Sequence, residues 1–355
     1  MKALFRILVI TTILTFVFYK YSQNSSAPPP KPDEDATFAE WQEYASEALP
    51  RPTKGVSTLI GKSSVDILAQ YGEPKRKEAS AYGYEWWTYN TDATTFTMIA
   101  LDQDVVKQVY VAGRSVKTDP FTLGSTLDDV YRTSIIEPEV MLNQDGQLYT
   151  LALTDYDLKH RMLVKFDDIV AQVFVNAEQE VTAIRFFDYA TIIKLQPYEL
   201  AYYEGALQRP AMNATLQDEV SHTLTLQAAD LIAVQRYYKL LPKYRNNEKL
   251  KQLAQATVQD VIQQREDENN VLLPLAERAQ TMGIEMTDIA EATVNIEFDA
   301  IEMIHRMLNN NEQQDLLLNQ AYTHYGVSCL ADMCTHIAAT REAPKEALFN
   351  EQSEH

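Results

Sequence analysis

Basic residues, cysteine and histidine are all scarce in this chain, and each shortage excludes something. There are 31 Lys and Arg against 50 Asp and Glu, a net charge of −19 at pH 7. Such a surface repels phosphate backbones and anionic head groups, which disfavours nucleic acid as a partner. The two cysteines, Cys329 and Cys334, form no CxxC framework. Their close spacing within one strand-like segment is awkward for a bridge, so free buried thiols are at least as well supported as a disulfide. A zinc site needs more ligands than this pair offers with His324 or His336. No Ser/His/Asp arrangement and no glycine-rich phosphate loop occurs anywhere.

Long apolar runs are also missing, except at the N-terminus. Lys2 and Arg6 precede an apolar stretch from Ile7 to Tyr19. Positive and then greasy is the pattern of a secretion signal, with the basic end left in the cytoplasm. Residues 1–20 are therefore expected to be a membrane anchor or signal segment. A cut after Ala27, with Ser25 at −3, would put Pro28 next to it, which disfavours cleavage. No Cys lies near enough for a lipoprotein. The expectation is a single-pass anchor with the body outside the membrane, the alternative a protein secreted after cleavage. Residues 21–40, with Pro28–Pro30 and several charges, read as an extended stalk. From Trp41 onward the composition is globular. The whole chain is 46 % hydrophobic, enough for a sizeable core in two domains.

Two segments repeat. Leu59–Pro74 reads LIGKSSVDILAQYGEP and Thr122–Pro138 reads TLGSTLDDVYRTSIIEP. Aligned on Gly61 and Gly124, they share Asp66 with Asp129, Ile67–Leu68 with Val130–Tyr131, and Glu73–Pro74 with Glu137–Pro138. Each spells a Gly turn, a Ser- or Thr-capped short helix and a Pro stop. Alternating strands follow both: 84–89, 94–101 and 105–113 after the first, and 147–153, 161–166, 169–176 and 181–188 after the second. Trp86 and Trp87 fall on opposite strand faces, which favours core packing over an aromatic ligand platform. Asp66, Asp128, Asp129, Asp167 and Asp168 read as caps and turn residues, not as an acid/base pair.

GKSSVDILAQYGEP, YGYEWWTYN, GSTLDDVY, LVKFDDIVAQVFV and LQPYELAYYEG occur in an order that resembles the CAP-associated N-terminal domain of Gram-positive envelope proteins. The likeness runs from about Leu59 to Gly205 and assigns residues 55–205 to that domain. It carries no established chemistry with it.

Residues 206–223 read as a linker. Beyond them come helical patterns: one from Gln227 with Ala228, Leu231, Ile232, Val234, Tyr237 and Leu240 on one face, one after an Asn246 or Asn247 cap, one starting near Pro274, and one over FDAIEMIHRMLNN. AYTHYGVSCL and MCTHIAAT read as strands. The segments NEKLKQLAQATVQDV, GIEMTDIAEATVNIEFDAIEMIHRMLNN and NNNEQQDLLLNQAYTHYGVS resemble the CAP superfamily of cysteine-rich secretory, antigen 5 and pathogenesis-related proteins. The expected chain is α+β: the repeat and the strands after it give a tandem-repeat N-terminal domain, a short helix plus an antiparallel meander twice, and the resemblance implies that a CAP-like α-β-α sandwich follows over residues 224–340. A polar tail covers residues 341–355.

The family's cleft is lined by two His and two Glu. The resemblance places Glu291 and Glu302 on the glutamates. Gln313 stands where one His belongs, and Glu268 or Asn269 where the other does. Imidazole is both a metal ligand and a base near pH 7, and Gln is neither. The remaining carboxylates make at best a weak divalent-cation site, so no cofactor is expected. His305 lies three residues from Glu302 and reads as a surface histidine. His160, His222 and His336 are uninformative alone. His324 matches a position the family also fills with His, for packing. The expectation is a non-catalytic binding or scaffolding protein of the cell envelope, its partner an envelope protein or cell-wall component. The alternative is a metal-dependent CAP-type enzyme or a lipid binder using the reduced cleft.

Overall fold

The computed structural model describes residues 48–202, 212–267 and 271–340. The expected anchor, stalk and tail lie outside the described residues, as do Glu268, Asn269 and residues 206–211. Among the described residues no helix is long and apolar enough to cross a membrane.

A 3-10 turn at Val56–Leu59 leads into α1 (Ser64–Tyr71), β1 (Arg76–Ala79), β2 (Glu85–Tyr89), β3 (Thr97–Asp102) and β4 (Val105–Val111). A second run follows with α2 (Leu127–Thr133), β5 (Glu139–Gln144), β6 (Gln147–Ala152), α3 (Asp157–His160), β7 (Arg161–Lys165), β8 (Ile169–Val175) and β9 (Val181–Asp188). The two helix starts are built alike. Ser63 caps α1 and Thr126 caps α2, each in a reciprocal box with Asp66 or Asp129 at the third helical position. The glycine N–H before each cap reaches the last strand of its own unit: Gly61 to Val106 O at 2.9 Å, Gly124 to Val181 O at 2.8 Å. Both glycines have positive φ, +87° and +85°, a conformation most side chains resist.

The units differ in where their strands go. Seven strands form one sheet in the order β1-β2-β3-β4-β9-β8-β7, fused where β4 pairs antiparallel with β9. β5 and β6 leave it and pair in a small sheet with β10 (Glu199–Tyr202), which follows α4 (Tyr189–Leu195). One face of the large sheet packs Trp87, Ile99, Val109, Val164 and Phe186 against α1 and α2. Trp86 and Trp87 are both buried, on opposite faces, as alternation requires.

The second half contains α5 (Ala214–Tyr238), β11 (Arg245–Asn246), α6 (Glu248–Glu266), α7 (Leu275–Thr281), β12 (Thr287–Asn295), α8 (Ala300–Leu308), α9 (Asn311–Leu318), β13 (His324–Leu330) and β14 (Met333–Thr340). Its sheet runs β11-β13-β14-β12. Leu250, Leu253 and Ala254 of α6 cover one face, through Ile337 and Ala339. The face carrying Val327, Cys329, Cys334 and Ala338 joins the core that contains α5 and α8. Three layers result, helix on sheet on helix.

Two expectations are corrected here. Residues 214–223, expected as linker, are the first turns of α5. Asn213 accepts a bond from Leu216 N–H as its cap, and Val220 and Leu224 are buried. Cys329 and Cys334 are directly opposite in the β13–β14 hairpin and form a disulfide. The short loop that made a bridge look awkward is what brings them together.

The same core that receives α5 and α8 also takes the second face of the seven-stranded sheet: Trp86, Met98, Tyr110, Leu163, Phe174 and Phe187. The two halves thus share one apolar interior. Burying one such aromatic stabilises by roughly 2–3 kcal/mol, so this seam is a principal source of stability and not a loose contact.

Candidate functional site

Helix α8 carries the polar residues nearest to chemistry, and its cap sets their direction. Asp299 accepts from Ile301 N–H at 2.9 Å and Glu302 N–H at 3.3 Å. Glu302 and His305, three residues apart on one side of the helix, both bond strands of the first half. Asp299 itself receives Nη1 of Arg185 at 2.6 Å. Arg185, on β9, is 0 % exposed and also donates from Nε to Gln108 Oε1 at 2.8 Å. A fully buried guanidinium needs such a partner, because its charge cannot be given up.

Glu302 is held from both sides. Arg161 Nη1 donates to Oε2 at 2.9 Å and Gln172 Nε2 to Oε1 at 2.5 Å. Arg161 also bonds Asp157 through Nε. Burial opposes the Arg161 charge, but Glu302, Tyr198 and Asp157 outweigh it and push its pKa above the ordinary arginine value. Glu302 therefore belongs to an ion chain joining the two halves.

His305 is 3 % exposed, against the expectation of a surface residue. Its Nε2 lies 2.9 Å from the Tyr110 hydroxyl, and its ring stacks on Phe174 at 3.9 Å between centroids. Burial, aided by the Arg185 charge, pushes its pKa down to about 3, so the imidazole is neutral at pH 7. The sequence hid this because the covering strands lie more than a hundred residues away.

Glu291 sits on β12 opposite Ile337 and receives Nη2 of Arg278. Arg278 bonds Thr257 as well, and donates from Nε to Leu273 O at 2.7 Å. The other Glu291 oxygen, Oε2, has no hydrogen-bond partner among the described residues. Gln313 is in the first turn of α9, where its N–H bonds the Asn310 cap at 3.1 Å. The two carboxylates are thus served by different arginines, Arg161 and Arg278. Among the described residues no group of three His, Cys, Asp or Glu is placed to hold a metal ion. Sequence reasoning missed the arginines. Arg185 was detectable, since it is a lone cation within the strand-like run VTAIRFFD.

A cleft of about 490 Å3 opens beside the seam, with Lys75 and Asn90 on one wall and Arg236, Tyr237 and Tyr325 on the other. The Arg76–Asp230 ion pair, at 2.5 Å, links the two halves. The Arg236 guanidinium lies 3.5 Å from the Tyr244 ring centre and donates to Pro242 and Leu317 carbonyls, so most of its donors are used.

Residues 60–198 match the family described as CAP-associated N-terminal. The chain is 25 % identical over 336 residues to the membrane protein YlbC of Bacillus subtilis, covering 92 % of this chain and 96 % of that one. The fold is similar to that of an extracellular protein containing an SCP domain from Bacillus anthracis, with a TM-score of 0.74 and 25 % identity over 83 % of this chain and 98 % of the other. It is also similar to a cysteine-rich secretory protein from Staphylococcus aureus, with a TM-score of 0.73 and 22 % identity over the same shares. Residues 60–198 therefore match a CAP-associated N-terminal domain, and the fold of the chain is similar to that of SCP-domain proteins.

Proposed function

We propose that this chain is a non-catalytic binding or scaffolding protein of the cell envelope, held at the membrane by residues 1–20. One observation carries the reading. Asp299, which caps α8, and Glu302 and His305 within it are spent on Arg185, Arg161 and Tyr110 of the preceding domain. A carboxylate fixed by a buried arginine and a histidine kept neutral by burial are poor material for metal binding or proton transfer. They are good material for a rigid joint. A binding protein needs only surface complementarity, so such a use of the cleft residues leaves its role intact. The membrane relative and the extracellular SCP-domain neighbour agree with an envelope location.

Cross-linking in intact cells followed by affinity capture tests this reading. The expected result is recovery of a discrete envelope protein or wall component. Recovery of none, together with a metal-dependent activity of the purified chain, would replace it with the enzyme reading. N-terminal sequencing of the mature protein checks the anchor: a start beyond residue 20 overturns retention.

A further inference from the structure

A polar cleft where the entries to the two repeats meet is of unusual composition for so acidic a chain. It encloses about 780 Å3 and is lined by Lys54, Lys62 and Lys117, by Tyr71 and Tyr89, and by a set of threonines that includes Thr58 and Thr95. Among the described residues no Asp or Glu lines it. With 50 acidic residues against 31 basic ones, a wall holding three cations and no anion is a local reversal of the molecule's charge. None of the three lysines forms an ion pair among the described residues, and all three are exposed. Glu73, which lies near Tyr89, is paired with Lys77 at 3.6 Å.

The fold builds this wall. Val56 N–H bonds Lys117 O at 3.0 Å, so the strand entries of the two repeats run side by side there. Gly55, at φ +78°, leaves no room for a Cβ against the Lys117 carbonyl, and this close approach sets Lys54 beside Lys117. Both lysines stand seven residues before their repeat's glycine, Gly61 or Gly124. Lys62 is fixed from the other side, its carbonyl accepting Val106 N–H at 2.9 Å. Tyr71 and Tyr89 meet with ring centres 5.6 Å apart, and Tyr89 donates to Gly72 O at 3.1 Å, which holds the aromatic end in place.

We propose that this cleft binds a phosphorylated polyol or sugar chain, with Lys54, Lys62 and Lys117 on the phosphates and Tyr71, Tyr89 and the threonine hydroxyls on the hydroxylated carbon units. Ammonium groups are point charges suited to phosphate, while aromatic faces and short hydroxyls suit polyols. The chain's overall negative charge fixes the scale: it repels a long polyanion, so only the few units inside the cleft are held. The inference rests on the binding-module reading and names its ligand class.

The test is calorimetric titration of the full chain in detergent with a short glycerol phosphate oligomer, with inorganic phosphate and with an uncharged chito-oligosaccharide. The oligomer is expected to bind, and Lys54→Gln/Lys62→Gln/Lys117→Gln to weaken it about tenfold, the sum of three exposed charge contacts. Raising the salt should weaken it further. The lysines are exposed, so circular dichroism should show the variant folded. Absence of oligomer binding, binding indifferent to the triple substitution, inorganic phosphate binding as tightly as the oligomer, or equal binding of the uncharged sugar would each overturn the assignment. Envelope capture that still recovers a partner after such a result would leave the binding-module reading standing and remove only this ligand.

Discussion

The Tyr110 hydroxyl lies 2.9 Å from Nε2 of His305, a bond between a strand of the CAP-associated domain and a helix of the SCP-like sandwich. It sits in a core where neither partner reaches water, so its two halves stabilise each other's placement.

The buried histidine predicts a pH dependence. His305 has its pKa pushed down to about 3, against roughly 6.5 in the unfolded chain. Between those values the unfolded chain takes up a proton that the folded one refuses. Its stabilising contribution is full above pH 6.5 and is lost as pH falls toward 3. The stability difference between the parent chain and His305→Gln should therefore shrink by on the order of 1 kcal/mol per pH unit over that window. Urea titrations at a series of pH values check it, and a constant difference would refute it. Asp66 and Asp129 act in the same direction at lower pH, where the Ser63 hydroxyl and the Thr126 backbone hold them below the usual carboxylate range.

Glu302→Ala should destabilise by about 3–5 kcal/mol, because it leaves Arg161 partly uncompensated in the seam. The double change Glu302→Met/Arg161→Met should recover part of that loss. Chemical denaturation gives both numbers. An unchanged midpoint for the single variant would mean that water reaches this pair.

Calorimetry with Zn2+, Mn2+ and Ca2+ should show no tight binding, and Glu291→Gln/Glu302→Gln should change nothing. Arg161 and Arg278 already neutralise the carboxylates a cation would need. Micromolar binding abolished by the double substitution would restore the metal-dependent alternative.

Much of this architecture was legible in the sequence, and the limits have a physical pattern. The repeat stood out because Gly61 with Asp66 and Gly124 with Asp129 are local signals: a positive-φ turn and a capping box, each complete within a few residues. Alternation placed Trp86 and Trp87 correctly because a strand's two faces follow from chain geometry alone. The seam was not legible. β8 is buried along its whole length, which a single-face strand would not be, and the cause is a helix contributed by residues far along the chain. His305 looked exposed for the same reason. The start of α5 was missed because Val220 and Leu224 sit among polar residues. The resemblance indicated Glu291, Glu302 and Gln313, but not that arginines from other elements hold both carboxylates.

Gly326→Ala should lower stability by about 1–3 kcal/mol or more. A Cβ there would run into the Leu250 and Lys251 backbone of α6, which lies directly on β13. Backbone cannot step aside as a side-chain tip can. Thermal melting of the variant checks this, and an unaltered midpoint would mean that α6 can shift on the sheet.

Reduction of Cys329–Cys334 should cost about 2 kcal/mol, the loop-closure value for so short a ring. Melting with and without dithiothreitol measures it, and Cys329→Ser/Cys334→Ser should show the same deficit and no further response to the reductant.

The seven-stranded sheet is covered on one side by α1 and α2 and on the other by α5 and α8. With neither broad surface open, anything the protein meets from outside must meet its rims: strand entries, turns and the ends of short helices. Rims tolerate substitution while the interior does not. Proteins sharing this scaffold are thus free to diverge in what they hold without altering how they stand, and the residues worth comparing among them are those of Lys54, Lys62 and Lys117, not those of α8.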